Sequence, residues 1–131
     1  MLTRSQLRQS ARAKLEDAEV LFRGRRYDGA AYLCGYVIEL ALKARICTTL
    51  KWTTGFPATS REFEGLLSFK THDLDLLLRL SGRESVKTQH LADWSVVKTW
   101  KPELRYQPPG ATKRPLARST IDATRRLLGV L

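Results

Sequence analysis

The chain has 131 residues, 23 basic against 13 acidic side chains, 43% apolar residues and a formal net charge of +10. One basic domain spanning residues 1–131 fits that length, with no room for a second and enough chain to bury a core without disulfides or a structural metal. The longest nearly apolar stretch, AAYLCGYVIELALKARI, is interrupted by Glu39, Lys43 and Arg45 before the roughly 18 apolar residues a membrane span needs, so no membrane partner is expected.

From Ser5 to about Arg25, apolar side chains recur at Leu7, Ala11, Leu15, Ala18 and Phe22, the spacing of one helical stripe. Arg4, Arg8 and Arg12 repeat every four residues on another face of this first helix. Charges run through the whole of this N-terminal segment, which lacks the apolar run of a secretory signal, and a cytoplasmic location is the expectation. Tyr27-Asp28-Gly29 reads as a turn with Asp28 placed to cap a second helix. That helix, about Gly29 to Thr49, is apolar nearly all round, as expected where a helix is surrounded by neighbours or used at a dimer seam. Cys34 and Cys47 fall on it roughly 20 Å apart along its axis, so they read as reduced core residues.

Leu50 to Ser60 reads as a loop and Arg61 to Phe69 as a short helical turn. Thr71-His72-Asp73 offers a helix start, followed by Leu74, Leu77, Leu78 and Leu80 and a Gly82 stop. A fourth helix from about Glu84 to Thr99 carries Val86, His90, Trp94 and Val97 on one stripe and ends at Pro102. Gln107 to Pro115 is a loop, and a final helix from Leu116 to Leu128 closes an all-α chain with no internal repeat.

The distribution of charge is uneven. Residues 1–26 carry +4, residues 27–97 balance, and residues 98–131 carry +6. First and last helices lying side by side would gather a net charge of +10 on one face, which favours a polyanionic partner, nucleic acid ahead of acidic protein, over a merely solvated surface. Two cysteines and two histidines with no close pair give no zinc-ligand spacing, so neither a metal nor another cofactor is expected.

Three stretches, RRYDGAAYLCGYVIELALKARI, THDLDLLLRL and WSVVKTWKPELRY, together resemble the HEPN domain, a small helical fold found in prokaryotic toxin and antiphage systems. The resemblance covers nearly the whole chain. It implies an up-and-down bundle of four to five helices, often dimeric, often partnered with a minimal nucleotidyltransferase, and in many members a metal-independent ribonuclease. The RNA-cleaving members carry an arginine, four to six residues and then a histidine, contributed by both protomers of a dimer. Arg105 matches that arginine, but Gly110, Ala111 and Thr112 stand where the histidine belongs. Cleavage without metal needs a base for the ribose 2′-hydroxyl and a cation for the charged phosphorane. Arg105 supplies the cation, and Tyr106 is a poor base because a phenol stays protonated near neutral pH. Arg83 and His90 show a similar spacing, but with 15 arginines in the chain it arises readily by chance, and His90 falls on the apolar stripe.

Glu39 lies in the most apolar helix, where a lone carboxylate is costly, so it must be paired, protonated or near water; Lys43, four residues on, is placed to pair with it, and a polar wall of a cleft near Arg105 is the other reading. His72 at a helix start reads as a cap or packing residue. Trp52, Trp94 and Trp100 read mostly as core or interface, with an exposed Trp100 beside Arg105 able to stack on a base.

Two functions follow. The first is an RNA-binding protein of a toxin-antitoxin or defence-type system, or a degenerate ribonuclease, in which Lys101, Arg105, Lys113 and Arg114 grip phosphates of RNA or a nucleotide while Glu39, Lys43 and Tyr106 line the cleft. The second is a non-catalytic homodimeric interaction module that docks a minimal nucleotidyltransferase.

Overall fold

The computed structural model describes residues 1–131 as six helices: α1 (Arg4–Arg23), α2 (Tyr27–Thr49), α3 (Leu74–Leu80), α4 (Ser85–Gln89), α5 (Leu91–Val97) and α6 (Arg114–Val130). Two 3-10 turns, Leu67–Phe69 and Pro102–Tyr106, lie in the connections. Three helices begin at local signals in the sequence, whereas α2 starts at Tyr27 with no side-chain cap. Thr3 caps α1 in a reciprocal box with Gln6, Asp73 caps α3 by accepting from the Leu76 amide at 3.1 Å, and Pro115 sits in the first turn of α6, where a missing N–H costs nothing. Gly82, at φ +73°, ends α3 in the left-handed region that glycine enters without strain.

α2 forms the axis of the bundle. Its buried residues, including Ala30, Cys34, Ile38, Leu42 and Ile46, face α1, α3 and α6, which accounts for its all-round apolarity within a single chain. Arg4 Nη1 donates to Thr48 Oγ1 at 3.2 Å, so the start of α1 meets the end of α2 and the two run antiparallel. α6 runs parallel to α2. Its lead-in is tied to the start of α2 through Asp28 and Thr112, and its last residue, Leu131, accepts from Arg45 Nε at 2.8 Å near the end of α2. The two charged outer helices therefore lie side by side, and α6 Arg118 reaches α1 Glu19 at 3.0 Å.

Two apolar clusters fill the interior. The larger joins α2 to α3, α5, Phe56, Phe63, Trp94 and Trp100, and the smaller joins Ala18, Phe22, Ala30, Cys34, Ala117 and Ile121 where α1, α2 and α6 meet. Cys34 and Cys47 are both free thiols in this interior. Burial pushes the Cys34 thiol up to about 11.

Two local expectations change. The stripe Val86, His90, Trp94, Val97 is not one helix but two, α4 and α5, broken at His90, whose backbone sits at φ −126° and ψ 46°. The stripe survives because the break keeps Val86, Trp94 and Val97 turned inward, with His90 half-buried between them. Asp28 is not the cap of α2 but lies inside its first turn, and its carboxylate accepts from the amides of Gly110 at 2.6 Å and Thr112 at 2.8 Å, pinning a loop more than eighty residues away. No helix is long and apolar enough to cross a membrane.

Candidate functional site

The site starts from an absence of side chain. Gly35, in the middle of α2, leaves its backbone open, and the Trp100 indole lies in the space that a β-carbon would fill. Trp100 Nε1 donates to the Tyr32 carbonyl of the same helix at 3.0 Å, and the Tyr36 ring meets the indole edge-on at 4.7 Å between centroids. Trp100 is thus buried and fixed, not free to stack on a ligand as an exposed tryptophan would be. Two residues on, Pro102 opens the 3-10 turn that carries Arg105. The Pro102 carbonyl accepts from the Tyr32 hydroxyl at 3.0 Å and from Arg105 Nη1 at 3.0 Å, so α2 and the arginine share one anchor.

Above this anchor opens a cleft of about 510 Å³. One wall is the first half of α2 with Asp28, Tyr32 and Gly35; the second is Val96, Val97, Trp100, Leu104 and Arg105; the third is Thr112, Leu116 and Thr120. The lining is largely apolar, and Arg105 is its single cation. Arg105 stacks on the Tyr106 ring at 4.5 Å and donates to its hydroxyl at 3.0 Å. It makes no ion pair, and its hydrogen bond to Tyr106 raises its pKa further, so it stays charged.

The remaining ionisable groups of the cleft are poor proton acceptors. Asp28 is the only carboxylate in the lining, and the Gly110 amide, then that of Thr112, hold it below its ordinary value. Tyr36, behind the wall, is pushed up to about 12 by its hydrogen bond with the Tyr32 hydroxyl, 3.2 Å away, and by burial. No histidine lines the cleft. The arrangement can hold an anion and a flat apolar group beside it.

Other charged residues singled out in the sequence are distributed over three places. Glu39 and Lys43 lie outside the cleft lining, farther along α2. Glu39 is 4% exposed, pairs with Lys43 at 3.5 Å and accepts a short contact from His72 Nδ1, so this buried carboxylate has two partners. Lys101 and Lys113 are exposed at the starts of the Pro102–Tyr106 turn and of α6. Arg114 turns away from the cleft and lies over the Phe22 ring at 5.4 Å. Only Arg105, with Tyr106 stacked on it, belongs to the cleft itself.

The model of the HEPN domain matches residues 5–130. The chain belongs to the HEPN family. No curated protein and no solved structure matches it significantly. This HEPN chain is all-helical, as the family requires, and builds its cleft from Tyr32, Gly35 and Trp100, which sequence reasoning did not assemble. One signal pointed there: a lone glycine between two tyrosines in an apolar helix marks a close approach by another group.

Proposed function

We propose that this HEPN protein binds single-stranded RNA, holding a phosphate on Arg105 and an adjoining base or sugar in the apolar cleft, and that it does so without cleaving. Its setting is then a toxin-antitoxin or defence-type system, in which a subunit without the motif histidine binds RNA. The observation that carries this reading is the unpaired guanidinium of Arg105 at the mouth of a largely apolar cleft. A fixed cation beside an apolar wall suits a nucleotide unit, whose charge and base lie next to each other. Proton bookkeeping supports the non-cleaving half: Arg105 stabilises charge, but Asp28 is held low, Tyr36 is pushed up, and no histidine lines the cleft.

The test is a labelled single-stranded RNA incubated with the protein in EDTA. Binding with the RNA left intact supports the proposal. Cleavage that Arg105→Ala abolishes would refute the non-cleaving half of it. A second role, docking a minimal nucleotidyltransferase as a homodimer, draws on Leu116, 54% exposed at the rim of the same cleft. Co-purification with such an enzyme, without measurable RNA affinity, would favour that role instead.

A further inference from the structure

A second depression, of about 460 Å³, lies where α1 ends and α6 begins, and Phe22, Arg23, Arg25, Tyr27 and Arg114 line it. Three of its five residues are arginines, and none of the three forms a salt bridge or a side-chain hydrogen bond within the chain. Their neighbour Arg118 differs: it also lies over the Phe22 ring, at 4.7 Å, but Glu19 and Asp122 already neutralise it. Asp28, the acid nearest in sequence, is committed to the amides of Gly110 and Thr112. Cations so concentrated repel one another unless an anion joins them.

The backbone adds an independent observation. α1 ends with the Arg26 amide bonded to the Leu21 carbonyl at 2.8 Å and the Arg25 amide bonded to the Phe22 carbonyl at 3.0 Å, the pattern in which the penultimate residue turns left-handed. That residue is Arg25, at φ +61°. Glycine is the residue that takes this conformation without strain, and the chain has one next door at Gly24, which it does not use there. Lys51 takes the same conformation at the end of α2, but only Arg25 turns its side chain into a cavity lined by two other unpaired arginines, at a position where glycine would cost the backbone less.

We propose that this depression is a phosphate-binding site, separate from the Arg105 cleft, in which Arg23, Arg25 and Arg114 grip one phosphate group of a nucleic acid against the Phe22 and Tyr27 rings. Guanidinium forks match phosphate oxygens in pairs, and three of them surround a group carrying one or two negative charges. The phosphate comes either from the 5′ end of a strand or from within its backbone, and the two differ by a measurable charge.

The experiment compares 5′-phosphorylated and 5′-hydroxyl forms of one short RNA against the wild type, Arg25→Gly, Arg114→Ala and Arg105→Ala, with melting temperature measured for each protein. Arg25→Gly is expected to melt at the wild-type temperature or a few degrees above it, and to bind at least about fivefold more weakly, as Arg114→Ala does. If only the 5′-phosphorylated RNA loses affinity, the site takes a strand end; if both forms lose it equally, the site takes a backbone phosphate. Arg105→Ala separates the two sites, because the weakening by Arg25→Gly persists in its background whatever becomes of the cleft. Melting of Arg25→Gly below the wild type would make Arg25 a structural residue and overturn the proposal. So would unchanged affinity for both RNAs in both depression variants.

Discussion

The Trp100 indole occupies the space of a β-carbon on Gly35: such a carbon would lie 2.0 Å from Cδ2 and Cε2 of the ring. The cleft wall, the Trp100 hydrogen bond to Tyr32 and the position of the Arg105 turn all follow from this contact. Gly35→Ala must therefore push the indole out. The expected loss is about 1–3 kcal/mol by chemical denaturation, typical of overpacking, with a changed tryptophan fluorescence spectrum in the folded state. Wild-type stability with an unaltered spectrum would show that the contact is not needed.

Asp28 acts as a pin for the loop before α6. Its carboxyl is held below the ordinary value of 3.8 chiefly by the Gly110 amide, so this contribution is fully present above that pH and is lost as the pH falls through the lower folded value. Asp28→Ala should speed hydrogen exchange of the Gly110 and Thr112 amides at neutral pH while leaving the core amides of α2 protected. Equal exchange in both proteins would contradict the anchoring role.

The contact between α1 and α6 is electrostatic at its exposed edge. Arg118, by hydrogen bonding, and then Arg125 hold Glu19 below its ordinary value of 4.5 despite partial burial. The stabilisation is therefore present above about pH 4.5 and disappears as acid protonates the folded carboxylate. Glu19→Gln should cost about 0.5–1 kcal/mol at pH 7, as expected for a solvent-screened network, with the gap to wild type closing at lower pH. A gap that widens in acid would refute the pairing.

Glu39 is the buried acid of the fold, and both Lys43 and His72 contact its carboxylate. Lys43→Met or His72→Asn leaves one partner and should cost about 1 kcal/mol. The double variant strands a buried carboxylate and should cost about 3 kcal/mol or more, beyond the sum of the two. Strict additivity in urea denaturation would show that the carboxylate is not held by both.

Local chemistry made much of this fold legible. The stripe from Leu7 to Phe22, the helix start at Thr71-His72-Asp73 and the Gly82 stop were all readable because each depends on residues within a turn or two, although the cap is Asp73 and not His72. The pairing of Glu39 with Lys43 was legible for the same reason, being one helical turn. His72, thirty-three residues away, was not. The break at His90 escaped because periodicity reports which side chains face inward, and here the inward faces continue across a change of backbone direction. The cleft was half legible. Arg105 carried a family signal, whereas its neighbours Tyr32 and Trp100 are joined by contacts across about seventy residues that no local pattern encodes. The fifteen basic side chains of the outer segments are also less open than a charge count suggests, since Arg118 and Arg125 pair with Glu19 and Asp122 of the same segments and Arg126 pairs with Asp93 from outside them.

The proposed RNA-binding role of the Arg105 cleft is tested most directly by the affinity of single-stranded RNA for wild type and Arg105→Ala across a tenfold range of salt. The account predicts that affinity falls steeply with salt, that Arg105→Ala weakens it about tenfold or more, and that the variant's log–log slope is shallower by about 0.7, the loss of one phosphate contact. Affinity that ignores salt, or that Arg105→Ala leaves unchanged in both magnitude and slope, would contradict it.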